Sequence, residues 1–124
     1  MRIIRIILLI FICSCTNRSS IPDDVIKKPK MEDIMWDMIR ADLLAHEIVK
    51  RDSTKNLSTE TNQLTSKIFA IHHIDNLMFE KSMKFYTSRP DIMSTIFDSL
   101  DARRVRKSFF EKEKMKAARR NATR

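Results

Sequence analysis

The chain has 124 residues, a formal net charge of +8 and no glycine. That length suits one small domain whose core depends on good helix packing. Without glycine, phosphate-cradling loops, dinucleotide-binding turns and tight primed hairpins lose the residue that reaches positive φ, so the composition points to an all-α fold without a nucleotide site. Eight methionines agree with this, because Met is a good helix former and an adaptable core filler. The charge is uneven. Residues 16–102 carry 12 Lys and Arg against 14 Asp and Glu, whereas residues 103–124 carry 10 against 2. The basic character therefore belongs to a C-terminal tail.

Taken in chain order, the first feature is Arg2 and Arg5 followed by the unbroken apolar run Ile6 to Ile12. A charged start and a short apolar stretch are the pattern of a secretory signal. The run falls short of the roughly 20 apolar residues of a membrane-spanning helix. It ends in Ile12-Cys13-Ser14-Cys15, which resembles the lipobox of bacterial lipoproteins: an aliphatic residue, a tolerated position, a small residue, then the lipidated cysteine. Cys15 fits better than Cys13, because Ser14 is small and Ile12 is bulky. Cleavage before Cys15 removes Cys13 and leaves no free thiol, which sets aside catalytic-cysteine and zinc-thiolate chemistry. Thr16 to Ser20 then reads as a polar tether. Asp23-Asp24 is the first acidic pair after the cysteine. In lipoproteins of the Bacteroidota an acidic cluster directly after the cysteine tends to mark surface export, so by resemblance to them the expected location is the periplasmic face of the outer membrane.

From Met31 the residues Met31, Ile34, Met35, Met38, Ala41, Ala45, Ile48 and Val49 fall at helical spacing, with Trp36 and Ile39 widening the stripe. Pro29 sits near the start, and Glu32 and Asp33 suit the dipole of a first turn. A polar connector covers residues 52–58, after which Ser58 or Thr59 caps a second helix carrying Leu64, Ile68, Phe69 and Ile71. His72-His73-Ile74-Asp75 reads as a turn, with His73 in a left-handed conformation. Asp75 caps a third helix bearing Leu77, Phe79, Met83 and Tyr86. Ser88-Arg89-Pro90 breaks that helix and opens a fourth, which buries Met93, Ile96, Phe97 and Leu100 before running into the basic segment.

The expected architecture is all-α, a small bundle of about four helices with a basic C-terminal helical tail. Its expected divisions are a signal peptide at 1–14, the lipidated cysteine and flexible tether at 15–28, a helical domain at 29–105 and the tail at 106–124.

Ile21-Pro22, Met31 with Ile34, Asp37 with Ala41, Ile68-Phe69, His72, Ile74-Asp75 and the run Phe79, Ser82, Tyr86, Pro90 together resemble a family of small Bacteroidota lipoproteins known as domain of unknown function 4296. The resemblance covers roughly residues 21 to 105, and the Phe-x-x-Ser-x-x-x-Tyr-x-x-x-Pro run is its most specific part. The chain departs from the family pattern at His73, where a glycine is expected, and at Arg40, where an apolar residue is common. The resemblance implies a helical lipoprotein domain and supplies no catalytic residue.

The remaining candidates favour structural roles. Consecutive residues such as His72 and His73 rarely chelate one metal. His46-Glu47 would begin a zinc-protease motif, but Lys50 occupies the position of its second histidine. Asp37 and Arg40, three apart, make a solvated ion pair, and Asp33 and Glu47 lie on or near the same helix. Ser82 and Tyr86 share a helix face as a contact near the core, without the strained turn a serine nucleophile needs. No catalytic residue, metal site or cofactor is expected. The strongest patch is basic: Arg103, Arg104, Arg106, Lys107, Lys112, Lys114, Lys116, Arg119 and Arg120 surround Phe109-Phe110. As an alternative to a plain solvated helix end, these cations can hold anionic headgroups, lipopolysaccharide phosphates or an acidic partner. The expected function is that of a non-enzymatic accessory lipoprotein held on a membrane through lipid on Cys15 and docked on an envelope protein partner. The alternative is an envelope anion-binding module. Export argues against nucleic acid as a ligand.

Overall fold

The computed structural model describes residues 20–122. The expected signal peptide, Cys15 and the tether as far as residue 19 lie outside the described residues, as do residues 123 and 124. Four helices follow in order: α1 (Lys28–Arg51), α2 (Leu57–Ile71), α3 (Asn76–Thr87) and α4 (Pro90–Ala122). Among the described residues there is no strand, so the fold is the small all-α bundle that the periodicity implies.

Helix α1 starts with Pro29 in its first turn, where a missing N–H costs nothing. Glu32 and Asp33 fall one turn too late to complement the dipole, and the first turn holds no acidic residue. They form ion pairs instead: Glu32 with Lys28 at 3.4 Å and Asp33 with Arg103 at 2.6 Å. On the inner face, Met31, Ile34, Ala41 and Ala45 are buried. Helix α2 packs along α1, and its buried Ile68 and Phe69 share one core with Ala41 of α1. The two helices are antiparallel: Asp37, in the first half of α1, meets His72, just past the end of α2, at 2.9 Å.

The cap of α2 is Asn56, not Ser58 or Thr59; its side-chain oxygen accepts from the Thr59 N–H at 3.2 Å. The earlier start brings Glu60 into the first turn, where it faces the positive helix end and pairs with Lys55 at 3.2 Å. The other end closes as expected. His73 has φ 50°, the one positive-φ position among the described residues. Ile74 N–H donates to the Phe69 carbonyl at 3.0 Å and His73 N–H to that of Ala70 at 3.2 Å, the paired bonds of a Schellman motif with His in the glycine position. Asp75 accepts from Met78 N–H at 2.7 Å and starts α3, and the reversal sets Phe69 against Phe79 with ring centroids 5.1 Å apart.

On α3, Ser82 and Tyr86 are fully buried and hold a segment of the expected tether. Ser82 Oγ accepts from Ile26 N–H at 2.9 Å and donates to the Met78 carbonyl at 2.7 Å, while Tyr86 OH donates to the Ile26 carbonyl at 2.7 Å. Both backbone groups of Ile26 are thereby satisfied inside the core, beside the buried side chains of Val25 and Ile26. The Lys27 ammonium donates to the carbonyls of Ile21 and Pro22 and to the Asp23 carboxylate, and Lys81 pairs with Asp24. Residues 21–27 therefore form a strap docked on the bundle, which corrects the expectation of a flexible tether as far as residue 28.

Helix α4 has 33 residues, about 50 Å at 1.5 Å per residue. Ile96 and Leu100 are buried, with Met93 partly so. Phe97, expected in the core, is 53% exposed, because it lies 100° round the helix from Ile96 on the flank of that stripe. The helix passes the expected boundary at 105/106 without a break and continues to Ala122.

Candidate functional site

The charged end of α4 leaves the bundle beside α1. Arg103 ties the two helices together, donating to Asp33 at 2.6 Å with Glu32 at 4.0 Å. Beside this pair both helices expose apolar side chains, Ile39 and Leu43 on α1 and Phe97 on α4. Between them runs an open groove in two adjoining stretches. The first, about 320 Å³, lies among Trp36, Ile39, Phe97, Leu100, Asp101 and Arg104. The second, about 330 Å³, shares Trp36, Ile39 and Arg104 and adds Arg40, Leu43, Lys107, Ser108 and Glu111. Ile39, Leu43 and Phe97 are 45%, 63% and 53% exposed, so the floor is apolar surface in contact with water.

The nine tail cations do not form one patch. At 100° per residue they spread round α4, so that Arg104 and Lys107 face α1 while Arg106 and Phe109 lie on the far side. Several have partners. Arg103 is held by α1, Arg104 binds Asp101 at 2.8 Å, Lys116 binds Glu113 at 2.9 Å and Lys114 lies 4.0 Å from Glu111. Arg119 and Arg120 sit in the last turn, where positive charge complements the helix dipole. Arg106, Lys107 and Lys112 are exposed and make no ion pair with another described residue. Phe109, Phe110 and Met115 are 59%, 61% and 59% exposed among these charges.

The other candidates are accounted for locally. The Asp37–Arg40 pair is present but loose at 3.5 Å, and Asp37 makes its shorter contact, 2.9 Å, with His72 Nε2. His46 lies 3.9 Å from Asp42 on the exposed face of α1. Among the described residues no group of three or more His, Cys, Asp or Glu side chains is placed to hold a metal ion. No described helix is long and apolar enough to cross a membrane. Sequence reasoning missed the groove and the strap. Exposed apolar residues on α1 and α4 signalled the groove, but only the packing of these helices shows that they face one another.

A family model described as Domain of unknown function (DUF4296) matches residues 22–116, and the chain belongs to that family. The matched stretch takes in most of the strap and the first four-fifths of α4, further than the resemblance read from the sequence. No curated protein and no solved structure matches the chain.

Proposed function

We propose that this family member is a non-enzymatic accessory lipoprotein of the bacterial envelope, held by lipid on Cys15 and docking on a larger complex at the periplasmic face of the outer membrane. The observation that carries the reading is the α1–α4 groove, with its water-exposed apolar floor beside a helix that continues as a cationic arm. Exposed apolar patches rimmed by polar groups are features of protein–protein contact surfaces. A strap docked at residues 21–27 also suits a lipid anchor at Cys15, because with such an anchor the domain would start a few residues from the membrane.

A photo-reactive residue at Phe110, introduced in cells, tests this. The expected outcome is a discrete heavier product in the membrane fraction, lost when Cys15→Ser is added. Products no different from those of the same probe at Leu77, exposed on α3, would count against docking through α4.

Arg106, Lys107 and Lys112, exposed and without an ion pair among the described residues, favour a second reading, an anion-binding module for lipid headgroups or lipopolysaccharide. On that reading, deleting residues 106–124 abolishes salt-sensitive retention of the Cys15→Ser form on envelope fractions. Unchanged retention would dismiss it.

A further inference from the structure

We infer that the α1–α4 groove is the docking site for an acidic amphipathic helix of a protein partner, an inference that rests on the docking role proposed above and specifies its chemistry. The groove reaches from Phe97 to Glu111, about 20 Å along α4, which accommodates roughly four turns of helix. Its floor offers Trp36, Ile39, Leu43 and Phe97 to an apolar stripe at three- and four-residue spacing, the helix-in-groove mode of recognition.

Charge selects among occupants. The rim carries Arg40, Arg104 and Lys107 against Asp101 and Glu111, and residues 103–122 of α4 hold nine cations against two carboxylates. The potential over the open end is therefore positive, and acidic flanks on the apolar stripe of a partner complement it. A second copy of this chain would bring two such cationic helices together. A lipid surface fits less well. Phe109, Phe110 and Met115 point in three different directions from α4, whereas a helix lying in a membrane interface needs one continuous apolar face.

Trp36 is the only tryptophan in the chain and lines both stretches of the groove, so its emission reports occupancy directly. The full chain, reconstituted in neutral phosphatidylcholine nanodiscs, is titrated with tryptophan-free helical peptides that share one Leu/Phe stripe and are flanked by Glu, Gln or Lys. The Glu peptide should shift Trp36 emission to shorter wavelength saturably and bind about tenfold more tightly than the Gln peptide at low salt, the gap closing as salt screens the rim. Leu43→Asp should weaken all three peptides, and Arg104→Glu with Lys107→Glu should invert the order so that the Lys peptide binds best. Both variants change exposed residues, and circular dichroism checks that they keep their helix.

No shift with any peptide, or equal binding of the Glu and Gln peptides, would overturn the inference. So would a shift produced by phosphatidylglycerol vesicles but not by peptide, or one that follows the concentration of the chain alone. Success here with a failed crosslink in cells removes only the envelope role. A specific crosslink with a failed titration removes only the acidic-helix occupant.

Discussion

Tyr86 joins the core to the strap. It is fully buried, and its hydroxyl and that of Ser82 satisfy both backbone groups of Ile26. Removing one partner of such a bond leaves a buried polar group without its bond, at a cost of about 1–3 kcal/mol. Tyr86→Phe, which strands the Ile26 carbonyl, should lower stability by that amount in denaturant titration; a change below about 0.5 kcal/mol would show that the strap is not held by this bond. Burial, and after it the charge of Glu32, raises the Tyr86 phenol above its ordinary value of 10.0. A raised pKa favours the protonated native form, so this contribution is complete below pH 10 and is lost as pH rises through the native value. Tyr86 is the only tyrosine, so ultraviolet absorbance can follow it alone. Its midpoint should lie above 10.0 in the folded chain and fall to that value in denaturant. His73 is the other telling residue, because its left-handed backbone favours glycine. His73→Gly should be neutral or stabilising by up to about 1 kcal/mol, and His73→Val should destabilise by more than about 1 kcal/mol. Equal stability of the two variants would contradict the Schellman assignment.

At the scale of elements, the local signals were legible and the non-local ones were not. Pro29, Asp75 and Pro90 mark helix starts through chemistry that acts within one turn, and the expected helices begin close to them. Asn56 was missed because Asn56, Ser58 and Thr59 are competing caps within four residues. Phe97 was misplaced because a stripe of apolar residues does not say which of two neighbours its centre passes through. The strap lacked any signal of its own: its bonds to Ser82 and Tyr86 span 56 and 60 positions, and no periodicity encodes them. The His72–Asp37 contact, 35 positions apart, was hidden in the same way. The tail was recognised by composition, but its continuity with α4 also divides its roles. Arg103 belongs to the bundle through Asp33, whereas residues 106–122 bury no side chain among the described residues. Truncation after Val105 should therefore shift the thermal midpoint by less than about 5 °C, roughly 1 kcal/mol in a domain of this size. Loss of cooperative unfolding would show that the arm is part of the core.

For the whole molecule, the fold puts the clamped strap and the α1–α4 groove on one small body. The strap is clamped to α3 at Ile26, and α1 begins two residues later. On α1, Asp33 meets Arg103, and further along Arg40 and Leu43 line the groove with Lys107 and Glu111. The groove thus advances along α1 away from the residue at which the strap is clamped. A lipid at Cys15 would hold the first end near the bilayer and leave the cationic arm free to meet a partner beyond the surface. That arrangement depends on the anchor more than on any other feature, so the most direct measurement is metabolic labelling with palmitate and membrane fractionation of the chain and its Cys15→Ser variant. An anchor at Cys15 predicts a labelled, membrane-bound chain and an unlabelled variant released into the soluble periplasmic fraction. Labelling and membrane retention that persist in the variant would contradict it.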